Sequence, residues 1–195
     1  MAKKAASLLV FLIGVVFWTS ASADAYLSSN SPLRISIEIT GDITQRDVAF
    51  LTSQSKDFKF KQLRVWLNSP GGDVMAAMEI GRIIRSVDGV TDIPLNKRCY
   101  DSCALIFIAG VKRFNYGELG LHRPYFASAS LSREQIEKQA PIMRDAVKTY
   151  VEEMGITDSF FERMYNTDPS NIEVLRGTGR TGVSLAERHP EEIAR

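Results

Sequence analysis

Three short pieces between Leu67 and Pro124 hold residue types suited to acyl-transfer chemistry. Leu67-Asn68-Ser69-Pro70-Gly71-Gly72-Asp73 runs a hydrophobic strand into a glycine turn, Cys99-Tyr100-Asp101-Ser102-Cys103 sets a hydroxyl between two thiols, and Leu121-His122-Arg123-Pro124 supplies an imidazole. Together they can provide backbone donors for an oxyanion, a nucleophile and a base, the three parts such a site needs. Glycine at Gly71 and Gly72 lets a backbone N–H approach a carbonyl with no side chain in the way, and the N–H of Cys103 is a candidate second donor. If Ser102 opens a helix, the helix dipole also favours negative charge there. Each piece has a plainer reading as well: a tight turn that requires glycine, a serine capping a helix, and a buried histidine with its hydrogen bonds satisfied. The other histidine, His189, lies in a polar tail.

The elements that must position these residues follow from pattern. Leu33, Ile35, Ile37 and Ile39 alternate as a half-buried strand, Gly41-Asp42 reads as a turn, and Thr44 can cap a helix through about Ser55 with Val48, Phe50 and Leu51 inward. Leu63–Leu67 is a second strand, and Asp73 begins a helix ending near Gly89. Val90–Leu95 is a third strand, and a fourth carries Gly120-Leu121-His122. Alternating strands and helices at this spacing argue for an α/β fold with a mostly parallel sheet. The apolar run Cys103–Ala109 fits a buried strand or a buried helix on pattern alone. Ser132-Arg133-Glu134-Gln135 is a capping box opening a helical region that Pro141 is expected to interrupt, and Thr157–Tyr165 is a further helix. Tyr26–Pro32 reads as a flexible lead, and Gly177–Gly182 as a linker without the ending of a phosphate-binding loop.

Composition bounds the function. The chain has 195 residues, 45% hydrophobic and 24% charged, an ordinary globular balance of one-domain size. Lys3 and Lys4, the apolar stretch Ala5–Trp18 and the small residues Ala21-Ser22-Ala23 read as a cleaved export signal over residues 1–23. An uncleaved anchor is the alternative, but the stretch falls short of the ~20 residues that span a bilayer. Removing residues 1–23 takes away two lysines and no acid, moving the net charge from +1 to −1. No basic patch for nucleic acid remains. A periplasmic or secreted location lets Cys99 and Cys103 form a disulfide; two buried thiols are the alternative. Their Cys-x3-Cys spacing argues against redox catalysis. Two distant histidines and one cysteine pair make no sensible metal set, so neither a metal nor an organic cofactor is implied.

Asn-Ser-Pro-Gly-Gly after a hydrophobic strand, a serine about thirty residues on before an apolar helix, Ala109-Gly110-Val111-Lys112-Arg113-Phe114, and a histidine before Arg-Pro resemble, in that order, the Clp protease proteolytic subunit. The resemblance covers roughly residues 35–175 and implies a crotonase-like fold, with residues 24–175 as the domain and 176–195 as a flexible polar tail. It also implies Ser102 as nucleophile, His122 as general base, and an oxyanion hole from Gly71, Gly72 and the Cys103 amide. The run Cys103–Ala109 becomes a helix, and the helical arm becomes a handle that packs against neighbouring subunits of a homo-oligomer. The third member falls within Asp168–Leu175: Asp168 by residue type, Asn171 by position, with a turn before Pro169 as the plain reading of Asp168. Two features depart from the family. It has small residues before its serine where this chain has Tyr100 and Asp101, and a carboxylate there opposes a developing oxyanion unless it points away or caps the helix. Its third member also has no clear counterpart here. Lys112 is the base in a Ser-Lys alternative similar to signal peptide peptidases of the same superfamily, but it sits in an expected surface turn.

These readings converge on an exported peptidase acting on short or unfolded peptides, without the ATP-driven unfoldase of its relatives, since ATP is absent outside the cytoplasm. The main alternative is a catalytically inactive binding or assembly module. An acyl-CoA enzyme of the broader crotonase class keeps the oxyanion hole but does not need Ser102.

Overall fold

The computed structural model describes residues 24–58, 61–126, 131–177 and 179–180. The expected export signal, and the tail beyond Arg180 with His189, lie outside them. The described chain is a mixed α/β structure of nine strands and five helices. Five of its eight strand pairings are parallel, so the sheet is mostly parallel, as the alternation of elements requires.

Its period-two strand is β2 (Arg34–Ile43), where Ile35, Ile37 and Ile39 are fully buried. Leu33 precedes the strand and is 81% exposed, so the inward row starts one alternation later than the pattern suggests. The expected flexible lead is instead β1 (Asp24–Asn30), antiparallel to β2. Its side chains are mostly exposed, so no hydrophobic alternation marks it. Backbone pairing and a 2.7 Å hydrogen bond from the Ala25 N–H to buried Asp47 hold it. Gly41-Asp42 is not a turn: β2 continues to Ile43 through a shift in register between Thr40 and Asp42. Helix α1 (Gln45–Phe58) then opens with the Thr44 hydroxyl accepting from the Arg46 N–H.

The axis of the sheet is β3 (Gln62–Gly72), paired along one edge with β2. Its other edge meets β4 (Val90–Ile93) over Arg64–Trp66, then β5 (Arg98–Tyr100) at Ser69. Two branches leave from there. Beyond β4 lie β6 (Lys112–Asn115) and β9 (Gly179–Arg180), so the segment read as a linker contributes a short strand against Phe114 and Asn115. Beyond β5 lie β7 (Glu118–Leu121) and β8 (Glu173–Arg176).

Asp73 caps α2 (Val74–Ser86) by accepting from the Ala76 N–H at 2.9 Å. All seven residues of α3 (Cys103–Ala109) are buried, which is why its sequence carries no helical periodicity. The capping box forms at the start of α4 (Arg133–Glu153): the Ser132 hydroxyl accepts from the Gln135 N–H while the Gln135 side chain accepts from the Ser132 N–H. Contrary to expectation, α4 runs unbroken through Pro141. Its second half docks by Val147, Tyr150 and Val151, and the buried Tyr150 hydroxyl donates to the Leu105 carbonyl of α3 at 2.8 Å. Gly81 of α2 makes room, since a Cβ there would meet the Tyr150 hydroxyl at 1.7 Å. Helix α5 (Asp158–Asn166) buries Phe160, Phe161 and Met164 on one face. No helix among the described residues is long and apolar enough to cross a membrane.

Candidate active site

Strands β3, β5 and β7 are parallel neighbours, with Ser69 level with Cys99 and Tyr100 level with Gly120. The expected glycine turn is extended instead: Gly71 and Gly72 are the last residues of β3, paired with Asp42 and Ile43, because their positive φ lets the strand run on beside β2. The carboxyl ends of β3, β5 and β7 therefore deliver the glycine pair, the Asp101-Ser102 turn and His122 to one edge, the place where α/β sheets carry their sites. Buried Ser69 pins the first of these: its hydroxyl donates to the Gly41 carbonyl and accepts from the Gly71 N–H at 3.1 Å. Gly71 and Gly72 have φ of +116° and +144°, a region that only glycine enters readily. A Cβ on Gly72 would lie 2.4 Å from the Ile43 carbonyl, so backbone closes that side.

The second turn is tied at both ends. Cys99 and Cys103 form a disulfide, both fully buried, and the Asp101 N–H donates to the Gly120 carbonyl at 3.1 Å. Ser102 stands at the entry to α3 and is 1% exposed. Its hydroxyl makes no capping bond and, among the described residues, has no hydrogen-bond partner. Helix capping therefore does not account for it.

His122 is buried and its ring lies 6.0 Å from that of Tyr125. Nδ1 is 3.1 Å from the Arg123 carbonyl oxygen, an acceptor only, so in the neutral ring Nδ1 carries the hydrogen and Nε2 keeps a free lone pair. Nδ1 is also 3.8 Å from Oδ1 of Asp101. The serine and imidazole are thus linked through the turn between them, and the Ser102 hydroxyl makes no bond to the ring in this state.

Asp101 neither points away from the site nor caps α3. With φ of +52°, it places its carboxylate between the glycine pair and His122. Burial pushes its carboxyl above the usual carboxylate range, while His122 and the backbone N–H groups of Ser102 and Gly72 act in the opposite direction. One expected oxyanion donor, the Gly72 amide, therefore faces a carboxylate of the chain itself.

Asp168 is not drawn into this group. Its side chain is 57% exposed, with Oδ1 accepting from the Ser170 N–H and hydroxyl and Oδ2 at 3.6 Å from the Arg123 guanidinium. Those Ser170 bonds, more than Arg123, hold its carboxyl below the ordinary value. Asn171 is exposed beside it, its N–H donating to the Asp168 carbonyl. Lys112 is exposed at the start of β6, on the other branch of the sheet. Among the described residues no group of three His, Cys, Asp or Glu side chains could hold a metal ion.

Sequence reasoning missed what Ser69 and Asp101 do. For Asp101 a signal was present, a charged residue where the resembled family has a small one. A cavity of about 490 Å³ lies between Arg123–Phe126 and the facing sides of α4 and α5, with Ile136, Met143 and Tyr165 in its wall; His122 and Ser102 are not among its lining residues. No protein-family model matches the chain, and no curated protein sequence matches it either.

Proposed function

We propose that the chain is an exported serine hydrolase of the Clp-peptidase-like, crotonase-fold group that cleaves peptide bonds. The observation that carries this reading is the convergence of the glycine pair, a buried and unpartnered Ser102 hydroxyl, and His122 at the carboxyl ends of three adjacent parallel strands. Ser102 Oγ attacks the substrate carbonyl as its proton passes to Nε2 of His122, and the oxyanion forms towards the Cys103 amide, the Gly72 amide being turned to the Asp101 carboxylate. His122 returns the proton to the leaving amine, and water then releases the acyl group from Ser102. Neither a metal nor an organic cofactor is needed. The cavity that begins at Arg123, the residue after His122, has Ile136, Met143 and Tyr165 in its wall and suits a hydrophobic side chain of a short or unfolded peptide. Disulfide-bonded Cys99 and Cys103 agree with export to an oxidising compartment, where no ATP-driven unfoldase operates.

A second reading rests on Asp101: a carboxylate facing the Gly72 amide suits a binding or assembly module that has lost catalysis. The two separate on treatment of the mature protein with a fluorophosphonate followed by mass spectrometry. A hydrolase is labelled at Ser102, loses the label in Ser102→Ala, and is labelled at least ~10²-fold more slowly in His122→Ala. Folded, oxidised protein that takes no label has the binding function instead.

A further inference from the structure

Asp101 is an expensive residue to keep where it stands. A non-glycine residue at φ +52° is uncommon, although aspartate and asparagine tolerate it better than most. Glycine at Gly71 is what admits the side chain, since a Cβ there would lie 2.6 Å from the Asp101 Cβ and 2.8 Å from Oδ2. Oδ1 is buried without a hydrogen bond, which costs free energy with no structural return. Costs of this kind collect at functional sites. What Oδ1 faces is the protonated edge of His122.

Resting on the serine-hydrolase reading, we propose that Asp101, and not Asp168, is the positioning carboxylate of the site, set 3.8 Å from His122 Nδ1 to stabilise the charged imidazole once it has taken the Ser102 proton. The two halves of the carboxylate face different ways. Oδ2 lies against the glycine pair and Oδ1 looks towards Nδ1, so the disulfide-bonded loop that carries the nucleophile also carries the group that steadies its base. Among the described residues, the groups around His122 leave this place to Asp101. Arg123 offers its carbonyl to Nδ1 but its guanidinium is drawn to Asp168, and Tyr125 presents a ring. Asp168, 57% exposed, instead gives Oδ1 to Ser170 and faces the Arg123 guanidinium with Oδ2.

Proton NMR of the His122 ring N–H, assigned with His122→Gln, tests the pairing in Asp101→Asn, Asp101→Gly and Asp168→Asn. Asparagine and glycine both accept the backbone at this position. Removing a charge this close to the ring is expected to shift that resonance in both Asp101 variants and to leave it in place in Asp168→Asn. Fluorophosphonate labelling of Ser102 should slow by at least ~10-fold in the same two variants only. A resonance that moves equally in Asp168→Asn, or in neither Asp101 variant, overturns the pairing. If the unmodified protein takes no label while the resonance still moves with Asp101, the hydrolase reading fails and the pairing stands.

Discussion

At the scale of the residue, the sign of one titration separates a group kept for stability from one kept for function. Burial raises the Asp101 carboxyl above the value it has in the unfolded chain, so the folded protein binds that proton more tightly and ionising it costs stability. The cost is absent at pH values below the unfolded carboxylate range, grows as pH rises between the unfolded and the raised folded value, and is complete above it. An asparagine in its place has nothing to ionise and suits φ +52°. Asp101→Asn is therefore expected to melt higher at neutral pH, by roughly 2–4 °C, the size of a 1 kcal/mol gain in a chain of this length. The gap should close as the solution is acidified. Melting temperature against pH for the two proteins checks this, and a variant that melts lower at neutral pH would make Asp101 a structural residue.

The elements that carry the site differ in how they are held. The glycine pair is fixed by neighbouring backbone, with Ser69 beneath it, whereas the Ser102 turn depends on a covalent tie between Cys99 and Cys103. Closing so short a loop restricts the unfolded chain by about 2 kcal/mol in the loop-entropy model. Urea unfolding with and without a reductant should show a loss of about that size, and identical midpoints would mean that the packing of α3 holds the turn unaided. How legible these elements were follows from where their stability comes from. Ile35, Ile37 and Ile39 announce β2 because one face is buried and the other is not, and Ser132 with Gln135 announces α4 because a cap is local chemistry. Strand β1 gives no such sign, since its side chains are mostly exposed and its pairing is made by backbone. Ser102, His122 and the glycines stood out by residue type and order. The place of Asp101 did not, because His122 follows the end of the neighbouring strand β7 and no local pattern reports the 3.8 Å approach between them.

At the scale of the whole molecule, the described residues leave one half of a long helix largely uncovered. Helix α4 spans Arg133–Glu153, yet among its described residues only Val147, Tyr150 and Val151 are buried, all in the second half. Its first half leaves Ile142 68% exposed and contains Pro141, which in a helix interior forfeits a hydrogen bond and costs ~3 kcal/mol or more. Two exposed salt bridges, Arg133–Glu137 and Lys138–Glu134, offset little of that, because pairs so exposed contribute at most about 1 kcal/mol each. Isolated helical segments of this length are marginal in water, so the first half of α4 needs a surface to lie against. The expected surface is a second copy of the chain, which would bring a subunit contact close to the cavity, since Ile136 and Met143 belong to the same helix. The prediction is that light scattering finds the mature protein as an assembly of several copies. Ile142→Glu, changing a residue that is 68% exposed, should weaken that assembly by at least ~10-fold, the effect of losing one well-placed apolar contact together with burying a charge. Its circular dichroism should fall only by the helix signal of the first half of α4, and the core should unfold at nearly the same urea concentration. A protein that is monomeric before the substitution, with α4 intact, would mean that the first half of this helix is stable without a partner, and the substrate itself would then be the surface it awaits.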